Sequence, residues 1–406
     1  MSLQSFENLL SKTLGANKKI IHSDITNLVA AGENFGGELL KLTITVENQI
    51  TKETEVLHAV AKKIPEMELF QKIFNIQETF KSEIIFYEKL VPIFRQFQEQ
   101  HKIKNVLNCF AELYGSRLNL NGSDIVDRDA VIILEDLIVS GYKNLDRYIG
   151  YDMEEAKLAL KELAVLHSVP LGIKMKKPDL FQKDIRPHLE EKFKPQQGIL
   201  DTLMFISEIL FESDKCAAAV TKVQKVWKLF TNNPDSYKPR EPFATLSHSD
   251  LWVNNIMIKH DKGKPIHIKF VDFQVYNYKS PVIDLLNFLF TSVRNEVLKE
   301  NIDDLIRFYH KELIENLKQL ECNTEDYRFS EFQKELQEDA YKVLCWALNF
   351  IPFIIFGPKG KVGASPHGDF DINSNKIRDE MRKATPYIAK EKMQFIVEYC
   401  ESKKWI

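Results

Sequence analysis

The chain changes its hydrophobic period once, and that change restricts its architecture more than any other feature. Leu40, Leu42, Ile44 and Val46 alternate with Lys41, Thr43 and Thr45, the period of a half-buried strand. A polar turn over 47–54 leads to a second strand over 56–64, which Pro65 ends. Residues 66–95 read as helix, with Phe80, Ile84, Tyr87 and Val91 on one face at spacings of three and four. Two more strands are expected near 109–113 and 130–134. Beyond Leu137 the pattern turns helical, and Ala156, Leu160, Leu163 and Leu166 stay in register over 153–166. One strand–loop–strand island at 243–274 interrupts the helical half. The chain has 406 residues, more than one core usually serves. The expectation is an α+β fold of two lobes, a β-rich N-terminal lobe over 1–137 and a mostly helical C-terminal lobe over 138–406.

Charge and cysteine usage narrow the function classes. The 55 basic and 58 acidic residues leave a formal net charge of −3, so no basic excess exists to hold a nucleic-acid backbone. Cysteines 109, 216, 322, 345 and 400 form no CxxC pair, which argues against a disulfide framework or a zinc site and for reduced thiols in the cytoplasm. Residues 1–15 lack a basic segment followed by an apolar run, so no secretory signal is expected. The most apolar stretch, 343–356, contains Asn349 and Pro352 and is too short to span a bilayer. It reads as a buried helix. Neither nucleic acid nor membrane is expected as a partner, and the composition leaves the oligomeric state open.

The island carries the chemistry. It contains His248-Ser249-Asp250-Leu251-Trp252-Val253-Asn254-Asn255 and, after a short hairpin turning at Asp261-Lys262-Gly263, Val271-Asp272-Phe273-Gln274. Phosphoryl transfer to an alcohol needs a carboxylate to accept the hydroxyl proton, and oxygen ligands to hold magnesium on the phosphates. Asp250 is the candidate base, Asn255 and Asp272 are candidate Mg2+ ligands, and His248 orients the loop. Either motif alone arises by chance; the two in this order, joined by a hairpin, are informative.

The N-terminal half then has to cradle the nucleotide. Gly32, Gly36 and Gly37 precede the alternating strand, and glycines let backbone N–H groups approach phosphates closely. A plain glycine turn has the same look. Lys62 stands in an apolar strand, where an ammonium needs anionic partners, and alternation puts Lys63 on the opposite face. Glu83, on the following helix, is the carboxylate expected to pair with Lys62; a surface glutamate is its ordinary alternative. Between the lobes, the strand ending in Glu135-Asp136-Leu137 offers backbone groups to an adenine edge, from Glu135 and Leu137, or merely caps a turn. Asp284 stands ahead of an apolar helix, as an N-cap or as a brace for the catalytic loop.

These residues resemble the protein-kinase-like phosphotransferases of small molecules, the group of the choline and aminoglycoside kinases. Protein kinases carry H-R-D and D-F-G in the matching places. Here Ser249 replaces the arginine and no A-P-E signature follows Asp272, which favours a small acceptor over a protein. The closest resemblance is to the ecdysteroid kinase-like, or CHK kinase-like, family, whose hallmark looks like H-G-D-L-W-x-N-N-I-M followed by V-D-F-Q. Leu134-Glu135-Asp136-Leu137, Leu163 to His167, and Ser280-Pro281 before Asp284 agree with it. The resemblance runs from about Gly32 to about Asn295. Ser249, where the family has glycine, and Gly36-Gly37, where relatives carry a small polar residue, depart from it.

The resemblance implies a bilobal protein-kinase-like fold and an ATP- and Mg2+-dependent transfer of the γ-phosphate to a hydroxylated small molecule. The family's named acceptors are steroid moulting hormones. Phe288, Phe290, Trp346, Phe350, Phe353 and Phe356 are candidates to line an apolar acceptor pocket, or are simply core. Two other readings remain: a choline- or ethanolamine-type kinase, and a pseudokinase that binds nucleotide or steroid without chemistry. The presence of Lys62, Asp250, Asn255 and Asp272 together favours the enzyme.

Overall fold

The computed structural model describes residues 6–28, 37–191, 202–232, 238–356, 379 and 382–406. Helix α1 (Phe6–Leu14) is followed by strands β1 (Lys18–Asn27), β2 (Glu38–Asn48) and β3 (Thr54–Lys63). With β4 (Leu113–Arg117) and β5 (Val131–Glu135) they form one antiparallel sheet, ordered β1-β2-β3-β5-β4. The alternation in β2 buries Leu40, Leu42, Ile44 and Val46 with Ala59, Ala61, Val131 and Ile133, and Phe6 and Leu10 of α1 cover that face. The opposite face sets Ile132 against Ile76, Phe80 and Ile84.

The helix expected over 66–95 is segmented: α2 (Glu68–Ile73), α3 (Ile76–Ile85), a π-helical turn (Phe86–Leu90) and α4 (Val91–Gln100). Asn75, in the left-handed region at φ 48°, separates the first two. Pro92 stands just beyond the π turn and has no N–H to give to the preceding turn. The predicted apolar face survives, since Phe80, Ile84, Tyr87 and Val91 are all buried.

Three sequence expectations need correction. The strand expected near 109–113 lies at β4 instead. Cys109 and Phe110 are apolar because the large core surrounds them, Ala111 packs in a small cluster with Leu137 and Tyr142, and only an isolated bridge joins Phe110 to Phe270. Strand β1 was not expected: it is a polar edge strand, mostly exposed, with no clean alternation to reveal it. Helix α5 (Met153–Lys176) runs ten residues past the expected end and through Pro170. Thr245 Oγ1 donates to the His167 carbonyl, 2.9 Å away, in the turn before that proline, while the missing Pro170 N–H takes the ladder donor from the Leu166 carbonyl.

The helical half contains β6 (Tyr142–Asn144), β7 (Thr245–Ser247), β8 (Ile256–Asp261), β9 (Lys264–Phe270) and β10 (Asn277–Lys279), in two small sheets ordered β6-β8-β9 and β7-β10. Around them lie α6 (Leu203–Leu210), α7 (Asp214–Asn232), α8 (Val282–Ser292), α9 (Asn295–Gln319), α10 (Phe329–Phe350) and α11 (Tyr387–Ser402). The apolar 343–356 stretch ends α10 and enters a π-helical turn (Ile351–Ile355), buried as expected. No helix among the described residues is long and apolar enough to cross a membrane. All five cysteines are buried and free. Phe86, Phe94, Phe97 and Phe110 share one core with Leu160, Leu163 and Phe288, so the α3–α4 rod roots the sheet in the helical lobe.

Candidate active site

Strand β7 delivers the chain to His248, whose side chain is fully buried. Its Nε2 lies 3.0 Å from the Val271 carbonyl and its Nδ1 accepts the Asp250 N–H at 3.3 Å. Burial holds the imidazole below its usual pKa, against the pull of the Asp284 charge, so a neutral ring ties the two acidic segments together. Asp284 sits in the first turn of α8 but does not cap it. Its carboxylate accepts the backbone N–H groups of His248 at 2.6 Å and Ser249 at 2.8 Å, and contacts His167 Nε2 at 3.1 Å. Burial alone pushes the Asp284 carboxyl up; the hydrogen bond and charge of His167, then His248 and the Ser249 N–H, carry it below the usual range. The Tyr309 hydroxyl lies 2.6 Å from the other nitrogen of His167.

Ser249 has φ 65°, a conformation that suits glycine. Its hydroxyl, 2.9 Å from Asn277 Oδ1 and 3.0 Å from Ser247 Oγ, anchors the turn to β7 and β10. Next along the loop, Asn255 Nδ2 donates to both the carbonyl and Oδ2 of Asp250, each at 2.8 Å, and its own N–H closes onto the Trp252 carbonyl at 2.9 Å. Asp250 is half-buried. Burial first, then the charges of Asp272 and Asp284, push its pKa up to about 8, while Asn255 and Lys62 pull the other way.

The β8–β9 hairpin brings the second motif alongside. Lys262 and Gly263 both take positive φ, 48° and 81°, at its tip, the two-residue turn that matches strand twist. Val271 N–H then donates to the Asn255 carbonyl at 3.0 Å. Asp272 follows at φ 68°. One of its oxygens lies 2.6 Å from Lys62 Nζ, and the other accepts from Gln274 Nε2 at 3.3 Å. Lys62 Nζ also lies 2.5 Å from Glu83 Oε2 on α3. Burial works against the Lys62 charge, but Asp272 and then Glu83 hold the amine above its ordinary pKa. Burial pushes the Glu83 carboxyl up, opposed by the Lys62 charge and the Phe273 N–H. Lys63, on the other face, is half-exposed.

Phe273 stacks on Phe86 with ring centroids 3.8 Å apart and planes 7° from parallel. Tyr276, fully buried, donates its hydroxyl to the Ser82 carbonyl at 3.2 Å. Gly37 packs where a Cβ would meet the Lys63 carbonyl at 2.4 Å, so its missing side chain admits the close approach of β3. Gly32 and Gly36 lie outside the described residues. The Glu135 side chain accepts from Ser140 Oγ at 2.6 Å and Lys269 Nζ at 3.2 Å, and its backbone N–H donates to the Glu112 carbonyl at 2.9 Å. Asp136 does cap the next turn, accepting from the N–H groups of Ile138 and Val139. Leu137 is buried with Ala111 and Tyr142, beside half-buried Met257 and Val271.

Lys62, Glu83, Asp250, Asn255 and Asp272 are thus gathered from four distant segments. Of the aromatic candidates, Phe288 and Phe290 are fully buried core rather than pocket lining. The side chain of Phe353 lies outside the described residues, Phe356 packs near Tyr148, and Trp346 and Phe350 stay half-buried. Residues that sequence reasoning left without a role here are Gln274, Tyr276, Met257 and His167. The first two follow Asp272 closely, and that proximity was the available signal.

A sheet-based lobe followed by a helical lobe makes this an α+β, bilobal, protein-kinase-like fold. The chain belongs to the ecdysteroid kinase-like family, whose sequence profile matches residues 31–322, well over half of its length. Membership supports a small-molecule phosphotransferase of the choline and aminoglycoside kinase type. No curated protein matches the chain. Similar solved structures include an amicoumacin kinase in complex with AMP-PNP and Ca2+, at 13% identity and TM-score 0.40 over 89% of each chain. A choline kinase from Cryptosporidium parvum Iowa II is 9% identical, with TM-score 0.42 over 94% of this chain and 89% of its own. A spectinomycin phosphotransferase in complex with ADP and spectinomycin is 12% identical, with TM-score 0.39 over 95% and 94%.

Proposed function

We propose that the protein is an ATP- and Mg2+-dependent kinase that phosphorylates a hydroxyl group of a steroid-like or related hydroxylated small molecule in the cytoplasm. One observation carries this reading: a single ammonium, Lys62, bridges Glu83 and Asp272 at 2.5 and 2.6 Å, close enough to Asp250 for its charge to be felt there. A strand lysine paired to a helix glutamate is the device that positions phosphates in kinases. Residues 1–137 then serve as the nucleotide lobe and 138–406 as the catalytic and acceptor lobe.

In this reading the adenine edge meets the backbone of Glu135 and Leu137, with Met257 and Val271 as its apolar floor. Lys62 draws the phosphates into place. Gly32, Gly36 and Gly37 supply backbone N–H groups over them. Asn255 Oδ1 and the Asp272 carboxylate are hard oxygen donors, the set that suits Mg2+. Two such donors make up part of an ion's shell, which phosphate oxygens and water would complete. When bound, the ion neutralises phosphate charge. Asp250, once ionised, accepts the proton of the acceptor hydroxyl; its pKa, raised to about 8, makes the carboxylate a stronger base but leaves only a minor fraction ionised at neutral pH. Neutral His248 and ionised Asp284 hold the loop that carries it.

The test is incubation of the purified protein with Mg-ATP and a panel of steroid, choline and glycoside alcohols, followed by isotope-labelled phosphate. ATP-dependent incorporation into a steroid alcohol is the expected result. Incorporation into choline alone moves the acceptor class. No incorporation, together with tight nucleotide binding, establishes the pseudokinase instead.

A further inference from the structure

We propose that Asn287 is a positioning residue for the candidate base: its amide holds the backbone just beyond Asp250, as Asp284 holds it just before. The proposal rests on the kinase reading above and adds to it a residue that acts only through the loop. Asp284 and Asn287 stand three residues apart on α8, so they share one face of the helix. The Asp284 carboxylate accepts the His248 and Ser249 N–H groups at 2.6 and 2.8 Å. Asn287 Nδ2 donates to the Leu251 carbonyl at 3.2 Å. Asp250 lies between the two holds.

The helix thus presents an acceptor where the loop offers N–H groups and a donor where it offers a carbonyl. Asn255 secures the peptide between them by donating to the Asp250 carbonyl at 2.8 Å. Backbone groups before, at and after Asp250 are each held by a different side chain. Swinging the Asp250 carboxylate requires rotation of the flanking peptides, and each rotation breaks one of these bonds. The Leu251 side chain is buried in the core, which fixes its place but not the direction of its carbonyl. Asn287 sets that direction. A base must stay within hydrogen-bond reach of the proton it takes, and a displacement of about 1 Å costs on the order of 10²-fold in rate.

The other half of the amide shows that the donor is kept at a cost. Asn287 is 4% exposed, and its buried Oδ1 has no hydrogen-bond partner among the described residues. A buried acceptor without a partner destabilises the fold. Turning the amide over gives no relief, because it sets Oδ1 against the Leu251 carbonyl oxygen, acceptor against acceptor. A leucine of similar volume fills the same space among Leu285, Leu286 and Phe288 and leaves no stranded amide oxygen. Packing alone therefore favours an apolar side chain at this position. A polar one that gives up stability to hold one carbonyl beside the base is the exchange of stability for activity seen at functional sites.

The test compares the full chain with Asn287→Leu and with Asn287→Ala, the second removing the amide without adding bulk. Two quantities are read: ATP hydrolysis at saturating Mg-ATP, with water as the acceptor, and the titration of the Asp250 carboxyl by carbon NMR, its signal assigned by loss in Asp250→Asn. Both variants are expected to bind Mg-ADP within about twofold of wild type in calorimetry and to hydrolyse ATP about tenfold more slowly or worse. The Asp250 titration is expected to move by about half a pH unit or more as the carboxyl shifts against its charged neighbours. Variants with wild-type hydrolysis and an unmoved titration overturn the proposal. Loss of Mg-ADP affinity in step with turnover also overturns it, and assigns Asn287 to packing. The kinase reading is scored apart: if Asp250→Asn hydrolyses ATP as wild type does, that reading falls, and a titration that moves in the Asn287 variants still upholds the grip on Asp250.

Discussion

Asp250 is held in a conflict that the proposed role of base requires. Its neighbours include two other carboxylates, Asp272 and Asp284, and one ammonium, Lys62, so the proton leaves late. A group with a pKa near 8 is protonated, and useless as a base, at lower pH. The kcat/KM of the free enzyme should therefore rise about tenfold per pH unit toward pH 8 and then level, as pH–rate profiles will show. Asp250→Asn should lower turnover by about 10²–10⁴-fold, or roughly 3–5 kcal/mol in the barrier; steady-state assays at saturating Mg-ATP that return near-normal rates reject the assignment. At this scale the sequence was informative. Residue types and order alone pointed to Lys62, Asp250, Asn255 and Asp272, because phosphoryl transfer tolerates few substitutes for a base, a cation and oxygen ligands. It was silent on Gln274, because an amide beside a carboxylate acquires its meaning only when the two side chains turn toward each other.

At the scale of elements, helix α3 needs an external restraint to keep Glu83 on Lys62. Three contacts supply it from the Asp272 segment: the Phe273 N–H to Glu83, the Phe273–Phe86 stack and the Tyr276–Ser82 hydrogen bond. The π turn at Phe86–Leu90 sets Phe86 into that stack. Tyr276→Phe removes one hydrogen bond, worth about 1 kcal/mol, and should weaken Mg-ATP binding about fivefold while the far-ultraviolet circular dichroism stays unchanged; wild-type affinity removes Tyr276 from this role. The segmentation of the rod was only partly legible. Its apolar face could be counted from the sequence, but the break at Asn75 and the widening before Pro92 depend on what the rod packs against. Strand β1 was missed for a related reason: an exposed edge strand is specified by the hydrogen bonds of β2 rather than by burial of its own side chains.

Across the whole molecule, helix α11 returns to the helical lobe and drives Lys392 into it, 5% exposed, with its amine 2.6 Å from the Val293 carbonyl. Burial lowers its pKa to about 7, opposed only by the charge of Glu296. The folded state thus binds fewer protons than the unfolded state between about pH 7 and the usual lysine range. Stability should rise with pH across that window and show no contribution from this group below it. Urea titrations of wild type and Lys392→Met should differ in that slope, which the methionine variant lacks. The order of periods along the chain, strands and then helices with one hairpin island, was enough to predict a bilobal α+β fold. The two motifs flanking the island were enough to point to the family. Both are local properties, set by side-chain type and spacing along a few turns of backbone. Which residues close the cleft, which aromatics remain half-exposed and how far a carboxylate's proton affinity shifts depend on side chains distant in sequence. Burial and charge at those points come from packing, so only the tertiary structure decided them.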